Sequence, residues 1–208
     1  MTKPGQLIVL TAPSGAGKTT LVHKLLDSEI DLTFSVSYTT RSQRDTEVDG
    51  KDYFFVSEED FAEMRLCGAF LEYAEVFGNW YGTSVDHVQS LLDAGQSVLL
   101  EIDWQGAEQV RQQCSDAISV FIMPPSQSEL EQRLRGRNTD SEEVIQFRLS
   151  QALDDMKHWD EFGYIVVNDK LEIATAELSA VITDGGVKNR TNDSEIRTRV
   201  KEILASGS

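Results

Sequence analysis

Cysteine is scarce in this 208-residue chain, and so are basic residues and long apolar runs. The two cysteines, Cys67 and Cys114, stand 47 positions apart with no CxxC or other close spacing. That excludes a disulfide framework or a cysteine-rich metal centre and leaves two reduced thiols as the expected state. The three histidines, His23, His87 and His158, show no ligand spacing either. No apolar stretch approaches the ~20 residues a membrane-spanning helix needs, and Leu7 to Leu10 is too brief for a signal-peptide core. The expectation is a cytoplasmic protein in a reducing compartment, with no membrane partner. Lys and Arg number 19 against 35 Asp and Glu, a net charge of −16. Binding a polyphosphate backbone needs a net basic face, so nucleic acid is excluded as a partner, and an anionic lipid surface with it.

What is present describes a soluble globular chain. At 40% hydrophobic and 26% charged residues, it can bury a sizeable core as one domain, or as one core carrying an insertion. Short apolar strands are expected at 6–11, 97–102, 118–123 and 164–168. Helical patterns fall at about 18–27, 105–113, 126–136, 141–159 and 170–182. This alternation predicts an α/β fold with a mostly parallel central sheet flanked by helices. Residues 34–96 break the rhythm. There Tyr53–Val56 and Phe70–Val76 read as strands of a small separate sheet, and Ser57-Glu58-Glu59-Asp60 reads as a capping box opening a short helix that Gly68 ends. The tail from Asp184 to Ser208 is polar before a weakly amphipathic helix near 194–204.

The first strand runs directly into Ala12, Pro13, Ser14, Gly15, Ala16, Gly17, Lys18, Thr19 and Thr20, and then a helix. This is the strand–loop–helix phosphate cradle known as a P-loop, with Ala12 where the strict pattern has glycine. Gly15 and Gly17 let successive backbone N–H groups turn onto a phosphate, and the helix adds the positive end of its dipole. Lys18 is placed to reach β- and γ-phosphates, and the Thr19 hydroxyl to ligate Mg²⁺. The loop implies a bound nucleoside triphosphate but not the reaction. A second cue is Ser37-Tyr38-Thr39-Thr40-Arg41-Ser42-Gln43-Arg44, two arginines in a polar loop whose guanidinium forks suit a terminal monophosphate. Tyr53 and Tyr81 offer phenolic donors of the same kind.

The order of these motifs resembles guanylate kinase nearly from end to end, over roughly residues 5–182. The resemblance rests on Ala-Pro-Ser-Gly-Ala-Gly-Lys at 12–18, Ser-Tyr-Thr-Thr-Arg-x-x-Arg at 37–44 and Glu-Val-Asp-Gly-Lys-Asp-Tyr-Phe-Phe at 47–55. It continues through Phe-Leu-Glu-Tyr-Ala-Glu-Val-Phe-Gly-Asn-Trp-Tyr-Gly-Thr at 70–83, Glu-Ile-Asp-Trp-Gln-Gly at 101–106 and Arg-Leu-Arg-Gly-Arg at 133–137. It implies a P-loop core over 1–34 and 97–184, a GMP-binding α+β insertion over 35–96, an arginine-bearing lid at about 134–148 and a C-terminal helix or tail over 185–208.

By the same resemblance, Arg41, Arg44, Tyr53 and Tyr81 hold the phosphate of GMP. Ser37, Glu72 and Thr83 line the base pocket with Asp103 close by, while Arg133, Arg137 and Arg148 contact ATP phosphates and Asn168 touches the adenine. Arg135 falls on no family contact position. Glu101 stands where the family usually has Asp, and Gln43 and Thr46 replace the usual Pro and Gly. The implied reaction is ATP + GMP → ADP + GDP with Mg²⁺, and a homo-oligomer is left open. Some domains of this resemblance are non-catalytic scaffolds that have lost the phosphate loop, but here Lys18, Thr19 and the lid arginines are all present. A kinase of sugar phosphates is disfavoured because such an acceptor has no purine to pair with Glu72, Ser37 and Thr83. The acidity does not oppose this reading. Residues 31–100 alone carry −9, yet Lys18, Arg41, Arg44, Arg133, Arg137 and Arg148 all fall on expected phosphate contacts.

Overall fold

The apolar runs become strands because they are buried on both faces, which is what a parallel sheet under helices requires. The computed structural model describes residues 5–28, 30–76, 78–136 and 141–206. In chain order the elements are β1 (Leu7–Thr11), α1 (Lys18–Leu26), β2 (Leu32–Phe34), β3 (Tyr38–Thr39), β4 (Phe54–Phe55) and α2 (Glu58–Leu66). Then follow β5 (Phe70–Val76), β6 (Asn79–Ser84), α3 (Val85–Asp93), β7 (Ser97–Glu101), α4 (Trp104–Gln113) and β8 (Ile118–Met123). The chain continues through α5 (Gln127–Arg135), α6 (Glu142–Asp155), β9 (Tyr164–Val167), α7 (Leu171–Asp184) and α8 (Ser194–Ala205). Short 3-10 turns lie at Met156–Glu161 and Val187–Asn189.

Five strands form the main sheet in the order β2-β7-β1-β8-β9. β2 runs parallel to β7, and β8 parallel to β9. Ile8, Val9, Leu10, Val98, Leu99, Val120, Phe121, Ile122, Ile165 and Val166 on these strands are fully buried. This is the expected α/β architecture, a mostly parallel sheet flanked by helices. By packing, the chain divides within β1 into one unit of Met1–Ile8 with Asp31–Ala117 and a second of Val9–Ile30 with Ile118–Ser208.

The first unit holds a second sheet, in the order β4-β3-β6-β5, with β3 parallel to β4 and β6 antiparallel to both β3 and β5. Its core is aromatic. Phe61 of α2 stacks on Phe70 at 4.5 Å between ring centres and on Trp80 at 6.0 Å, and Tyr38 stacks on Phe54 at 4.8 Å. Burying Phe61 contributes roughly 1.5–3 kcal/mol. Ser57 caps α2 as its motif predicts, accepting from the Asp60 N–H at 3.0 Å and donating to the Asp60 carboxylate at 2.8 Å.

Several elements depart from the pattern read in the sequence. The sequence pattern does not mark β2, β3, β6 or α3 as elements, and the helix expected over 141–159 ends at Asp155 and tightens into a 3-10 turn. β6 is hard to recognise because Gly82 interrupts it. That glycine is required by space, since a Cβ there would come 2.9 Å from Phe70 Cδ1.

In the second unit, the segment after Asp184 covers the free edge of β9. Arg190 bridges Tyr164 in antiparallel fashion, the Thr191 N–H donates to the Gly163 carbonyl at 3.0 Å, and Asn189 Nδ2 donates to the Ile165 carbonyl at 3.0 Å. α8 buries Ile196, Val200 and Ile203, and the Arg197 guanidinium lies 5.0 Å from the Trp159 ring centre. Gln127 Nε2 donates to the Leu204 carbonyl at 2.6 Å, closing the far end. The tail is thus an edge cover, which sheets require against unwanted pairing. A chain ending at Asp184 is expected to melt on the order of 10 °C lower and to aggregate on heating, because the apolar surface that Ile196, Val200 and Ile203 cover and the edge of β9 become exposed. Thermal unfolding followed by circular dichroism checks this, and an unchanged midpoint would make the tail peripheral.

Candidate functional site

In the second unit, β1 delivers the phosphate loop to α1. Gly15 and Gly17 adopt φ of 89° and 87°, a left-handed conformation that an L side chain rarely takes. Between them, the Ala16 N–H closes a turn on the Pro13 carbonyl at 3.1 Å. Leu130 and Leu134 of α5 fill the space under Gly15, where a Cβ would lie 3.0 Å from Leu134 Cγ. The carbonyl of Ala16 is held by two donors, Asn168 Nδ2 at 2.8 Å and Arg133 Nη1 at 3.4 Å. A trans peptide is planar, so tying back the Ala16 carbonyl aims the Gly17 N–H away from Asn168 and Arg133. Arg133 is itself fixed by Glu129 Oε1 at 2.9 Å and by the Asn168 carbonyl at 3.1 Å.

α1 begins with Gly17 as its cap, with no side chain capping it and no acidic residue in its first turn. A helix N-terminus of this kind attracts an anion. Lys18 is half-buried at the first helical position, and Thr19 and Thr20 are exposed on the next two. Arg148 is half-buried on α6. Arg137 and residues 138–140 of the expected lid lie outside the described residues. Arg135 pairs with Glu131 at 2.8 Å and with Glu142 at 2.5 Å, joining the end of α5 to the start of α6.

The residues expected on the acceptor side lie in the first unit. Arg41 Nη2 donates to Glu47 Oε1 at 2.7 Å, and its Nη1 donates to the Ser42 carbonyl at 2.8 Å. The other Glu47 oxygen accepts the Arg44 N–H at 2.9 Å. Tyr81 neighbours Arg41, and the Arg41 guanidinium lies 5.4 Å from the Tyr53 ring centre. Tyr53 and Tyr81 meet edge to face at 5.8 Å, so three of the four expected phosphate contacts converge, while the Arg44 side chain is 73% exposed and, among the described residues, reaches only Glu47, at 3.9 Å. Burial first, then the neighbouring Tyr81, raises the Tyr53 phenol above its ordinary value and keeps it a donor at neutral pH. Glu47 had no role in the sequence reading. Its hydrogen bond from Arg41, followed by that from the Arg44 backbone, holds its carboxyl below the usual range. The carboxylate therefore stays ionised and orients Arg41 and the backbone at Arg44. An acid three residues after Arg44 was its only sequence signal.

Glu72 on β5 stands opposite Thr83 on β6. The Thr83 hydroxyl donates to Glu72 Oε1 at 2.5 Å, and Ser37 Oγ lies 3.5 Å from Thr83 Oγ1. Ser37, Thr83 and Glu72 thus form one polar chain inside the small sheet, with Glu72 3% and Thr83 0% exposed. Asp103 caps α4, its Oδ1 accepting the Gly106 N–H at 2.7 Å. Burial raises the Glu72 carboxyl to about 7, the hydrogen bond from Thr83 opposes the rise, and the charge of Asp103 adds to it.

A carboxyl whose folded value is raised binds its proton more tightly in the folded chain. Its stabilising contribution is complete below the unfolded value of 4.5 and is lost as the pH rises through about 7. Glu72→Gln keeps the shape and removes the titration. The variant is expected to gain stability over the native chain as pH rises from about 5 to about 8.5, approaching roughly 3 kcal/mol. Urea unfolding at both pH values tests this, and a difference independent of pH would mean that Glu72 does not titrate in this range.

The guanylate kinase family model matches residues 4–185. The guanylate kinase of Aromatoleum aromaticum is 52% identical over 179 residues, covering 86% of this chain and 88% of that protein. That of Pseudomonas fluorescens is 46% identical over 200 residues, covering 96% and 97%. Among solved structures, guanylate kinase from Anaplasma phagocytophilum matches with a TM-score of 0.72 at 34% identity, covering 96% of this chain and 95% of that one. On sequence and fold alike, the chain belongs to the guanylate kinase family.

Proposed function

We propose that this chain transfers the γ-phosphoryl group of ATP to GMP, releasing ADP and GDP. The observation that carries the reading is the polar chain from buried Glu72 and Thr83 to half-buried Ser37, in the unit that also gathers Arg41, Tyr53 and Tyr81. Ionised Glu72 accepts hydrogen bonds from guanine N1–H and the 2-amino group, while the Ser37 hydroxyl donates to O6, the one Thr83 proton being engaged by Glu72. Adenine offers an acceptor at N1 and no group at C2, so it would leave the carboxylate buried and unpaired. Arg41 and Arg44 take the acceptor phosphate as guanidinium forks, with the Tyr53 and Tyr81 hydroxyls as further donors. Asp103 serves the pocket through α4, whose first turn it caps.

On the donor side, the backbone of residues 12–17 cradles the phosphates, Lys18 reaches the β- and γ-oxygens, and Asn168 meets the adenine. Arg133, Arg137 and Arg148 neutralise charge on the transferring group. A GMP phosphate oxygen attacks the γ-phosphorus in line. The new P–O bond forms as the bond to the β–γ bridging oxygen breaks, and the electron pair leaves with ADP. The nucleophile is already anionic, so no general base is needed. Mg²⁺ fits the residues present, because Thr19 offers one exposed hard oxygen and this ion keeps most of its waters while taking substrate phosphate oxygens. When bound, it neutralises charge on the triphosphate.

In this reading, residues 1–34 and 97–184 carry the donor and residues 35–96 the acceptor. Both substrates are free nucleotides, and the place of work is the cytoplasm. Among the described residues, no helix is long and apolar enough to cross a membrane.

An assay coupling ADP release to a chromogenic reaction tests the proposal. GMP is expected to be preferred over AMP by ~10⁴ in kcat/KM, since the pocket is built to hydrogen-bond one base. Equal use of the two would remove Glu72 from base choice. Lys18→Met is expected to lower kcat by at least ~100-fold with an unchanged melting midpoint. Full turnover in that variant would take the phosphate loop out of the mechanism.

A further inference from the structure

β5 is the outer strand of the small sheet, so among the described residues its outward backbone groups have no strand partner. Glutamines of α4 take them. Gln113 Nε2 donates to the Leu71 carbonyl at 2.8 Å. Gln109 uses both ends of its amide on Tyr73, its Oε1 accepting the N–H at 3.1 Å and its Nε2 donating to the carbonyl at 2.7 Å. The backbone on either side of Glu72 is therefore bound to α4. One turn before Gln109, buried Gly106 faces the carboxyl itself. A Cβ at Gly106 would overlap Glu72 Oε2 and lie 3.2 Å from Glu72 Cδ and 3.3 Å from Asp103 Oδ1.

Gly106, Gln109 and Gln113 follow the i, i+3, i+7 spacing that puts side chains on one helix face. Gly106 has no positive φ, so its backbone does not require glycine, and within a helix glycine is less favourable than alanine. Space for the Glu72 carboxyl is the reason that remains.

We propose that the Gly106–Gln109–Gln113 face of α4 sets base selectivity by fixing the depth and direction of the Glu72 carboxyl, with Gly106 as a positioning residue. The inference rests on the reading of Glu72 as the guanine contact. A methyl group at position 106 displaces Oε2 from the line of N1–H and the 2-amino group, while the phosphate loop in the other unit is left as it was.

Steady-state kinetics of the full chain test this with Gly106→Ala, Gln109→Leu, Glu72→Ala and the double variant Glu72→Ala/Gly106→Ala. Gly106→Ala is expected to raise KM for GMP about tenfold or more and to lower the GMP-to-AMP preference by a similar factor. Its kcat at saturating GMP and its KM for ATP should stay within about twofold, with no fall in melting midpoint. Gln109→Leu should move the same two quantities in the same direction. The double variant should bind GMP no worse than Glu72→Ala alone, because no carboxyl is left to displace. If Gly106→Ala keeps the native KM for GMP, or loses kcat and ATP affinity in step with it, the positioning role is overturned. If Gly106→Ala does not fold, the Gln109→Leu result decides by the same criteria. If Glu72→Ala leaves KM for GMP and base preference unmoved, the reading of Glu72 itself fails, whatever Gly106→Ala does.

Discussion

A carboxyl buried against a hydroxyl, beside another carboxylate, is the constraint around which the small sheet is arranged. Glu72 is almost fully enclosed, and its proton affinity is raised because water no longer solvates the charged form. The surrounding structure keeps this unfavourable group in one place. Thr83 holds one oxygen across the strand pair, α4 binds the strand on both sides of it, and Gly106 leaves room for the other oxygen. In the proposed function, the same desolvation that makes the carboxylate costly makes its pairing with a matching base selective.

The cations are handled in the opposite way. Arg41 is already paired with Glu47, and Arg133 with Glu129, so neither is a loose charge waiting for a phosphate. Holding a guanidinium in place removes the entropy otherwise lost when a ligand is bound. The backbone is treated similarly in the loop, where Asn168 and Arg133 fix the Ala16 carbonyl and thereby the Gly17 N–H. Against this local order, the net charge of −16 matters little for nucleotide binding, since screened distant charges weigh less than adjacent fixed donors.

Much of the fold was legible because its cues are local. β1, β7, β8 and β9 are short apolar runs, and α1, α4, α5, α7 and α8 lie within a residue or two of their periodic patterns. β2 and β3 have only three and two residues, too few for a pattern to emerge. β6 carries a glycine whose reason is the ring of Phe70, twelve residues earlier. α3 did carry a signal, with Ser84 as cap and Val85, Val88 and Leu91 at helical spacing, but the surrounding irregularity hid it. The phosphate loop was readable for the same local reason: strand, glycines, lysine and helix follow one another without a break.

Residue type and contiguous spacing, by themselves, determined the buried strands and the phosphate loop, while roles for the arginine loop and for Glu72 came only with the resemblance to guanylate kinase. Type and spacing could do so because period, turn chemistry and hydrogen-bonding type belong to neighbouring residues. Tertiary structure alone decided that Glu47 orients Arg41, that Asn168 and Arg133 hold the loop, that the tail covers β9, and that Gly106, Gln109 and Gln113 brace Glu72. Each of these is a contact between backbone or amide groups brought together by chain folding. A glutamine on a helix or a glycine in its first turn carries no mark of its partner until the strand it serves lies against it.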